Sequence, residues 1–362
     1  MPTHVVFPAQ VTGGSLHNVW SSIPGLESPL AIRRIDAAVD LTNVEYVDPE
    51  GLNYLALVPA FLAETGARVR ISLPRSGPVR SVIRTSGILE HIVQRYDSLL
   101  VTENLQPVKN FADAPEDSLI SLALRSYVFE PENVDGIFRQ DIIHNLLRNQ
   151  LFYASHLLQA GCCTAISELV HNVFEHSERR IGCVTMHIAR DPMHRDGANS
   201  GHIVVAVSDL GIGIPTSLAQ RAEYDFGGQF DGFHDWEYLE FALSYGASRF
   251  GPHLRGLGLP TVVARATTTR VSSGRGMYQV HARRGRRGKV TAFLPGTSLH
   301  VTFDIQDTMR EGPTDDRQAG KDNRPVTAHE KASSGAPPVE AFAYPSRSAP
   351  VPSGASDTIT RC

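Results

Sequence analysis

The chain has 362 residues, 41% hydrophobic and 20% charged, with a formal net charge of -4, which is room for two cores of ordinary globular composition. That acidic balance argues against an obligate nucleic-acid or acidic-membrane binder, since both demand a basic field. No apolar run could span a bilayer, "MPTHVVFPAQ" lacks a secretion signal's layout, and four cysteines without a CxxC pair suit a reducing cytoplasm.

From about Val5 to Leu100 short apolar runs alternate with helical periodicity. "IDAAVDL" and "RVRISLP" read as strands, and "GLNYLALVPAFLAETG" reads as an amphipathic helix with apolar positions three and four apart and a stop at Gly66. "VRSVIRTSGILEHI" reads as a helix pair. Between them, "VEYVDPEG" is a strand turning into a helix, and its tip holds Pro49 and Glu50. Such tips display modifiable or catalytic groups in small domains, yet this one carries no hydroxyl, thiol or imidazole. The expectation is a small α/β domain over 1–102, followed by a proline-bearing linker over 103–118.

The block 119–305 is expected to open with helices, "AISELVHNVFEHS" being the clearest. A strand "IVVAVSD", a glycine turn "LGIGIP", a second glycine turn "RGLGLP", a helix after Pro260 and closing β segments follow. Helices on one side of a mostly antiparallel sheet are the natural arrangement. Residues 306–362 shift to Pro, Ser, Gly and Ala with few large apolar residues, and a disordered tail is expected there.

Three segments carry chemistry. Glu168, Asn172 and His176 fall four apart and line one stripe of a helix. The carboxylate suits activation of a nucleophile, and the carboxamide oxygen suits a hard cation such as Mg²⁺. A solvated polar face is the blander alternative. Zinc is rejected because His171 and His176 are five apart and diverge on a helix. In the second segment, Asp209 at the end of a strand and beside Gly211 and Gly213 is placed to accept from an exocyclic amine such as adenine N6. A dinucleotide fingerprint fails, because its third glycine falls at Thr216 and Asp209 would repel phosphates. In the third, Gly256 and Gly258 before a helix form an anion cradle with no lysine-bearing P-loop.

The order Glu-x-x-x-Asn, Asp-x-Gly-x-Gly-Ile, Gly-Leu-Gly-Leu and "PGTSLHVTF" resembles the GHKL ATPase superfamily, whose members include gyrase, histidine kinases and the anti-sigma serine kinases. The resemblance covers roughly Leu151 to Ile305 and implies a Bergerat-type α/β sandwich that binds ATP and Mg²⁺. By that likeness Glu168 is the catalytic base, Asn172 holds Mg²⁺, and His176 belongs to the same helical box. Asp209 would hold adenine, with Gly211, Gly213 and Ile214 shaping its pocket and Thr297 near the adenine end. Gly256 and Gly258, with Leu257 between them, would meet the phosphates, and Arg255 just before this turn either reaches the β- or γ-phosphate or is an ordinary surface arginine. The stretch 224–254 occupies the place of the family's mobile lid, although Phe226, Phe230, Phe233 and Trp236 also read as local core. A phosphoacceptor histidine is not evident: "HNLLRNQ" at His144 lacks the acidic neighbour and the proline.

Residues 31–92 in turn resemble STAS domains, the partners of anti-sigma kinases. Their phosphorylated serine corresponds to Glu50, which has no nucleophilic oxygen for phosphoryl transfer. Glu50 then marks a degenerate docking domain, a partial phosphomimic, or an unrelated turn; Thr85 and Ser86 offer hydroxyls away from the usual position. "RRGRRGK" (283–289) reads as an exposed hairpin turn. The two resemblances imply a cytoplasmic signalling protein with a STAS-type or sigma-factor-like protein partner and no membrane or nucleic-acid partner. They leave open a homodimer, and also whether the chain phosphorylates a partner in trans or acts as an ATP-switched binding module.

Overall fold

The computed structural model describes residues 3–23, 36–103, 106–107, 124–129, 162, 165–173, 181–190, 201–225, 232–245, 258–281 and 284–305. Residues 1–312 make one compact unit, and the second unit, 313–362, lies outside the described residues. The expected disordered tail therefore falls there too. The fold is mixed α/β with one mainly parallel and one antiparallel sheet.

In the N-terminal half, β1 (Thr3–Val6), β3 (Ala37–Asp40), β5 (Val69–Ser72) and β6 (Leu99–Glu103) pair in parallel in that order. A short β7 (Gln106–Pro107) adds antiparallel to β6, inside the segment expected as linker. Val5, Val39, Ile71 and Val101 point to one face and are buried, whereas His4, Val6, Arg70 and Leu100 on the other are exposed; this is the period-two reading of a half-buried sheet. A two-stranded ribbon pairs β2 (Gln10–Val11) with β4 (Tyr46–Val47), and a short helix α1 (Leu16–Ser21) follows β2. Helices α3 (Gly77–Ser86) and α4 (Ile88–Arg95) are the expected pair. Gly87 separates them at φ +72°, a left-handed conformation that suits glycine.

Helix α2 (Pro49–Glu64) begins where the turn chemistry places it. Asp48 is the N-cap and accepts from Gly51 N at 2.6 Å, with Pro49 in the first turn and Gly66 just past the end at φ +85°. It differs from the expected amphipathic helix in one respect: every residue from Glu50 to Ala63 is buried. A helix buried all round must lie between two layers. Here α2 packs on β5 and α4 of its own half, and on β9 (Gly182–Arg190), β10 (Gly201–Asp209) and β12 (Arg284–Ile305) of the other. Each fully buried leucine in it (Leu52, Leu55, Leu57, Leu62) contributes about 1.5–3 kcal/mol.

The antiparallel sheet has the order β11 (Thr268–His281), β12, β10, β9, β8 (Leu124–Phe129). β8 is a strand where the sequence pattern suggested an opening helix. The helices expected on one side are present: α5 (165–173), α7 (Asp235–Tyr245) and α8 (Gly258–Arg265) send Leu169, Val173, Leu239, Leu243 and Val262 into a core with Val205, Val207, Leu299 and Phe303. Helix α6 (Gly213–Asp225) follows the first glycine turn. The expectation of helices on one face only is corrected, because α2 covers the opposite face and Ile181, Cys183, Leu210 and Leu294 join the N-terminal core. That explains why β10 reads as a near-continuous apolar run rather than a clean alternation. No helix among the described residues is long and apolar enough to cross a membrane.

Candidate functional site

Strand β10 sends alternate side chains to opposite faces. Ile203, Val205 and Val207 enter the front core with α5, α7 and α8, and Asp209 shares their parity at 3% exposure. Its Oδ1 accepts from Gly211 N at 2.6 Å. Burial pushes the Asp209 carboxyl up to about 7, against the opposing pull of the Gly211 and Thr297 amides. Asp209 and Thr297 thus meet at the front end of the sheet.

Around them three chain bends lock together. β11 and β12 pair Ser273 with Thr297 and then Gly274 with Leu294, so Pro295 and Gly296 bulge out of the ladder. Ser273 Oγ donates to Gly296 O at 2.5 Å and accepts from Ile214 N at 3.1 Å. Gly213 (φ +78°) and Gly296 (φ +73°) both have left-handed backbones. A Cβ on Gly213 would lie 2.6 Å from Ser273 Oγ, and one on Gly296 would strike the Asp209 carbonyl. Gly296→Ala is therefore expected to cost about 1–3 kcal/mol in chemical denaturation, where a Gly→Ala change at an ordinary helical position would stabilise. Ser273 was not legible as a site residue, because nothing in its spacing ties it to Gly213 or Gly296.

Helix α5 buries Leu169, Val170 and Val173 and leaves Glu168 and Asn172 half-buried one turn apart. A Cβ on Gly258 would lie 2.5 Å from Glu168 Oε2, so this carboxylate rests against the first residue of α8. The helix starts at Gly258, three residues before the expected start after Pro260. The Asn172 Nδ2 atom is buried and has no hydrogen-bond partner among the described residues. Amide nitrogen and oxygen exchange by a flip, and a buried carboxamide atom without a partner among the described residues fits a ligand-binding amide. Among the described residues no three His, Cys, Asp or Glu side chains cluster to hold a metal alone. Magnesium needs only one or two protein oxygens when substrate phosphates complete its shell. His176, Arg255, Gly256 and Leu257 lie outside the described residues.

The stretch assigned to a mobile lid is corrected in part: α7 is a packed helix with Leu239 and Leu243 in the front core. Phe233 meets Tyr238 edge-on at 5.5 Å between centroids beside Leu218 and Ala242, and Trp236 stacks on His234 at 6.3 Å. Phe226 and Phe230 lie outside the described residues. Of the "RRGRRGK" stretch, 284–289 are strand residues of the β11–β12 hairpin.

Glu50 is not displayed at a turn tip. It is 1% exposed in the first turn of α2, facing the back of the antiparallel sheet. Arg270 Nη2 on β11 pairs with its Oε2, Ser298 Oγ on β12 donates to its Oε1 at 2.6 Å, and His300 Nδ1 lies 3.8 Å away. Burial opposes the charge on Arg270, yet the Glu50 carboxylate holds its pKa above the ordinary value; burial lowers that of His300. Gly13 is pressed against this pair so closely that a Cβ there would collide with Glu50 and Arg270. Both the docking-surface and phosphomimic readings assumed an accessible turn; the observed Glu50 is an internal clasp between the two halves.

One turn along α2, Asn53 is wholly buried in the same seam. Its Nδ2 donates to Ala206 O and Ser208 Oγ, both at 3.1 Å, and to Cys183 O at 3.3 Å; its Oδ1 accepts from Thr185 Oγ1 at 2.7 Å. Replacing Asn53 by leucine strands these groups without partners and is expected to destabilise the protein by about 1–3 kcal/mol, read as a lower denaturant midpoint. No protein-family model matches the chain, and no curated protein matches it significantly.

Proposed function

We propose that this chain is a GHKL-type ATP-binding signalling protein, with an N-terminal STAS-like module fused to the ATPase-like domain. It would act as a Mg²⁺–ATP-dependent protein serine/threonine kinase in trans. The observation that carries this reading is that Glu168, Asp209, Gly258 and Thr297, far apart in sequence, belong to one side of the antiparallel sheet or the helices packed on it. Asp209 accepts from the exocyclic amine of adenine, and Thr297 and the Gly211–Gly213 turn border the base. The amides at the start of α8 receive phosphate oxygens. Asn172 supplies one oxygen to magnesium, which when bound neutralises phosphate charge. Glu168 takes the proton from an incoming hydroxyl. The acceptor is not the chain's own N-terminal turn, since Glu50 lacks a hydroxyl and is buried.

A second reading, an ATP-switched binding module with slow or no turnover, is favoured by the Glu50–Ser298 bond. It places the N-terminal helix directly behind the strand residue next to Thr297. Incubation with γ-labelled ATP, with and without cell extract, separates the two. Label on a second protein supports the kinase, and bound ATP without transfer supports the switch. Glu168→Ala is expected to lower transfer or hydrolysis by roughly 10²–10⁴-fold with ATP still bound; unchanged turnover removes Glu168 as the base.

A further inference from the structure

Behind the candidate site, buried side chains form one hydrogen-bond chain whose direction is determined by counting protons. Ser298 has one hydroxyl hydrogen and gives it to Glu50, so across the 3.0 Å contact Ser208 is the donor and Ser298 the acceptor. Ser208 Oγ in turn accepts from Asn53. Thr185 gives its hydrogen to Asn53, so across 2.6 Å it accepts from Ser126. The order is Ser126, Thr185, Asn53, Ser208, Ser298, Glu50, with Arg270 completing the carboxylate. Its members come from β8, β9, β10, β12 and β11, the five strands of the sheet, and helix α2 enters twice.

Alternation makes this chain local to the candidate site. Ser208 precedes Asp209 and Thr297 precedes Ser298, and each pair points to opposite faces. The two residues held from behind are the backbone neighbours of the two placed at the adenine end. Resting on the nucleotide reading above, we propose that Asn53 and Glu50 are positioning residues for the adenine pocket: α2 sets, through Ser208 and Ser298, where Asp209 and Thr297 stand. The N-terminal half is then a fixed back-plate of the nucleotide site, and anything that shifts α2 changes adenine affinity. By linkage, nucleotide in turn tightens α2 on the sheet.

The test uses the full chain with two variants, Ser298→Ala, which leaves Glu50 paired to Arg270, and Asn53→Ala, with ADP and inorganic tripolyphosphate titrated by calorimetry in magnesium. ADP affinity is expected to fall roughly five- to tenfold in both variants, with tripolyphosphate affinity unchanged. Hydrogen exchange at the Gly211 amide, which bonds Asp209, is expected to quicken. Unchanged ADP affinity in Ser298→Ala with unchanged Gly211 exchange overturns the inference and leaves the nucleotide reading standing. Equal loss of both ligands with a lowered melting temperature shows general destabilisation and also overturns it. Wild-type protein that binds no ADP removes the nucleotide reading and this inference together.

Discussion

Glu50→Ala is expected to destabilise the protein by about 3 kcal/mol, because breaking a buried ion pair leaves its partner charged and uncompensated. The stranded group is the Arg270 guanidinium, whose Nε already has no hydrogen-bond partner among the described residues. Glu50→Gln retains an acceptor for Ser298 and is expected to lose less. The double variant Glu50→Leu with Arg270→Met removes both charges and is expected to recover most of the loss, since apolar replacement of a buried pair is often near neutral. Glu50→Ser, which introduces a hydroxyl at this position, is expected to behave like alanine in denaturation and to remain unlabelled by ATP inside the folded protein. A midpoint shift below about 0.5 kcal/mol for Glu50→Ala, the size typical of surface substitutions, would mean that the clasp is not closed in solution.

The second large effect falls at Asp209. On the proposed reading Asp209→Asn lowers adenine-nucleotide affinity by roughly 10–100-fold, the worth of a hydrogen bond to a charged group. Burial holds the Asp209 pKa at about 7, above the unfolded value near 3.8. Its contribution to folding is therefore full below about pH 4 and is lost as pH rises through 7, where the carboxylate is forced to ionise while buried. The ionised form is the better acceptor for the adenine amine, so adenosine affinity is expected to rise from pH 6 to pH 8 and level off. Adenosine is the proper probe, because nucleotide phosphates titrate in the same range. Asp209→Asn is expected to flatten the profile, and a profile unaltered by that substitution would remove Asp209 from the pocket.

Much of this architecture was legible from period and turn chemistry. The D-P-E-G start of α2, the Gly87 break and the strand at Ile203–Ser208 follow from local rules, since capping groups and alternation act over a few residues. What escaped was long-range. α2 looked amphipathic from apolar positions three and four apart, and Glu50 looked like an exposed turn tip, whereas Asn53 and Glu50 are both buried against a second sheet more than a hundred residues away in sequence. The serines and threonines at 126, 185, 208 and 298 look like ordinary strand residues until that helix supplies their partners. The available clue was an apolar helix carrying one asparagine and, in its first turn, a glutamate, together with a β10 run too apolar for a sheet covered on one face. Ser273 had no such clue, because its role exists only once a bulge and a glycine turn meet over it.

The most direct test of the central claim is a calorimetric titration of the full-length chain with ATP and ADP, with and without magnesium. Saturable heat for both nucleotides is predicted, tighter for ATP when magnesium is present and weakened in Asp209→Asn. The absence of any heat with either nucleotide, with or without the ion, would contradict the account.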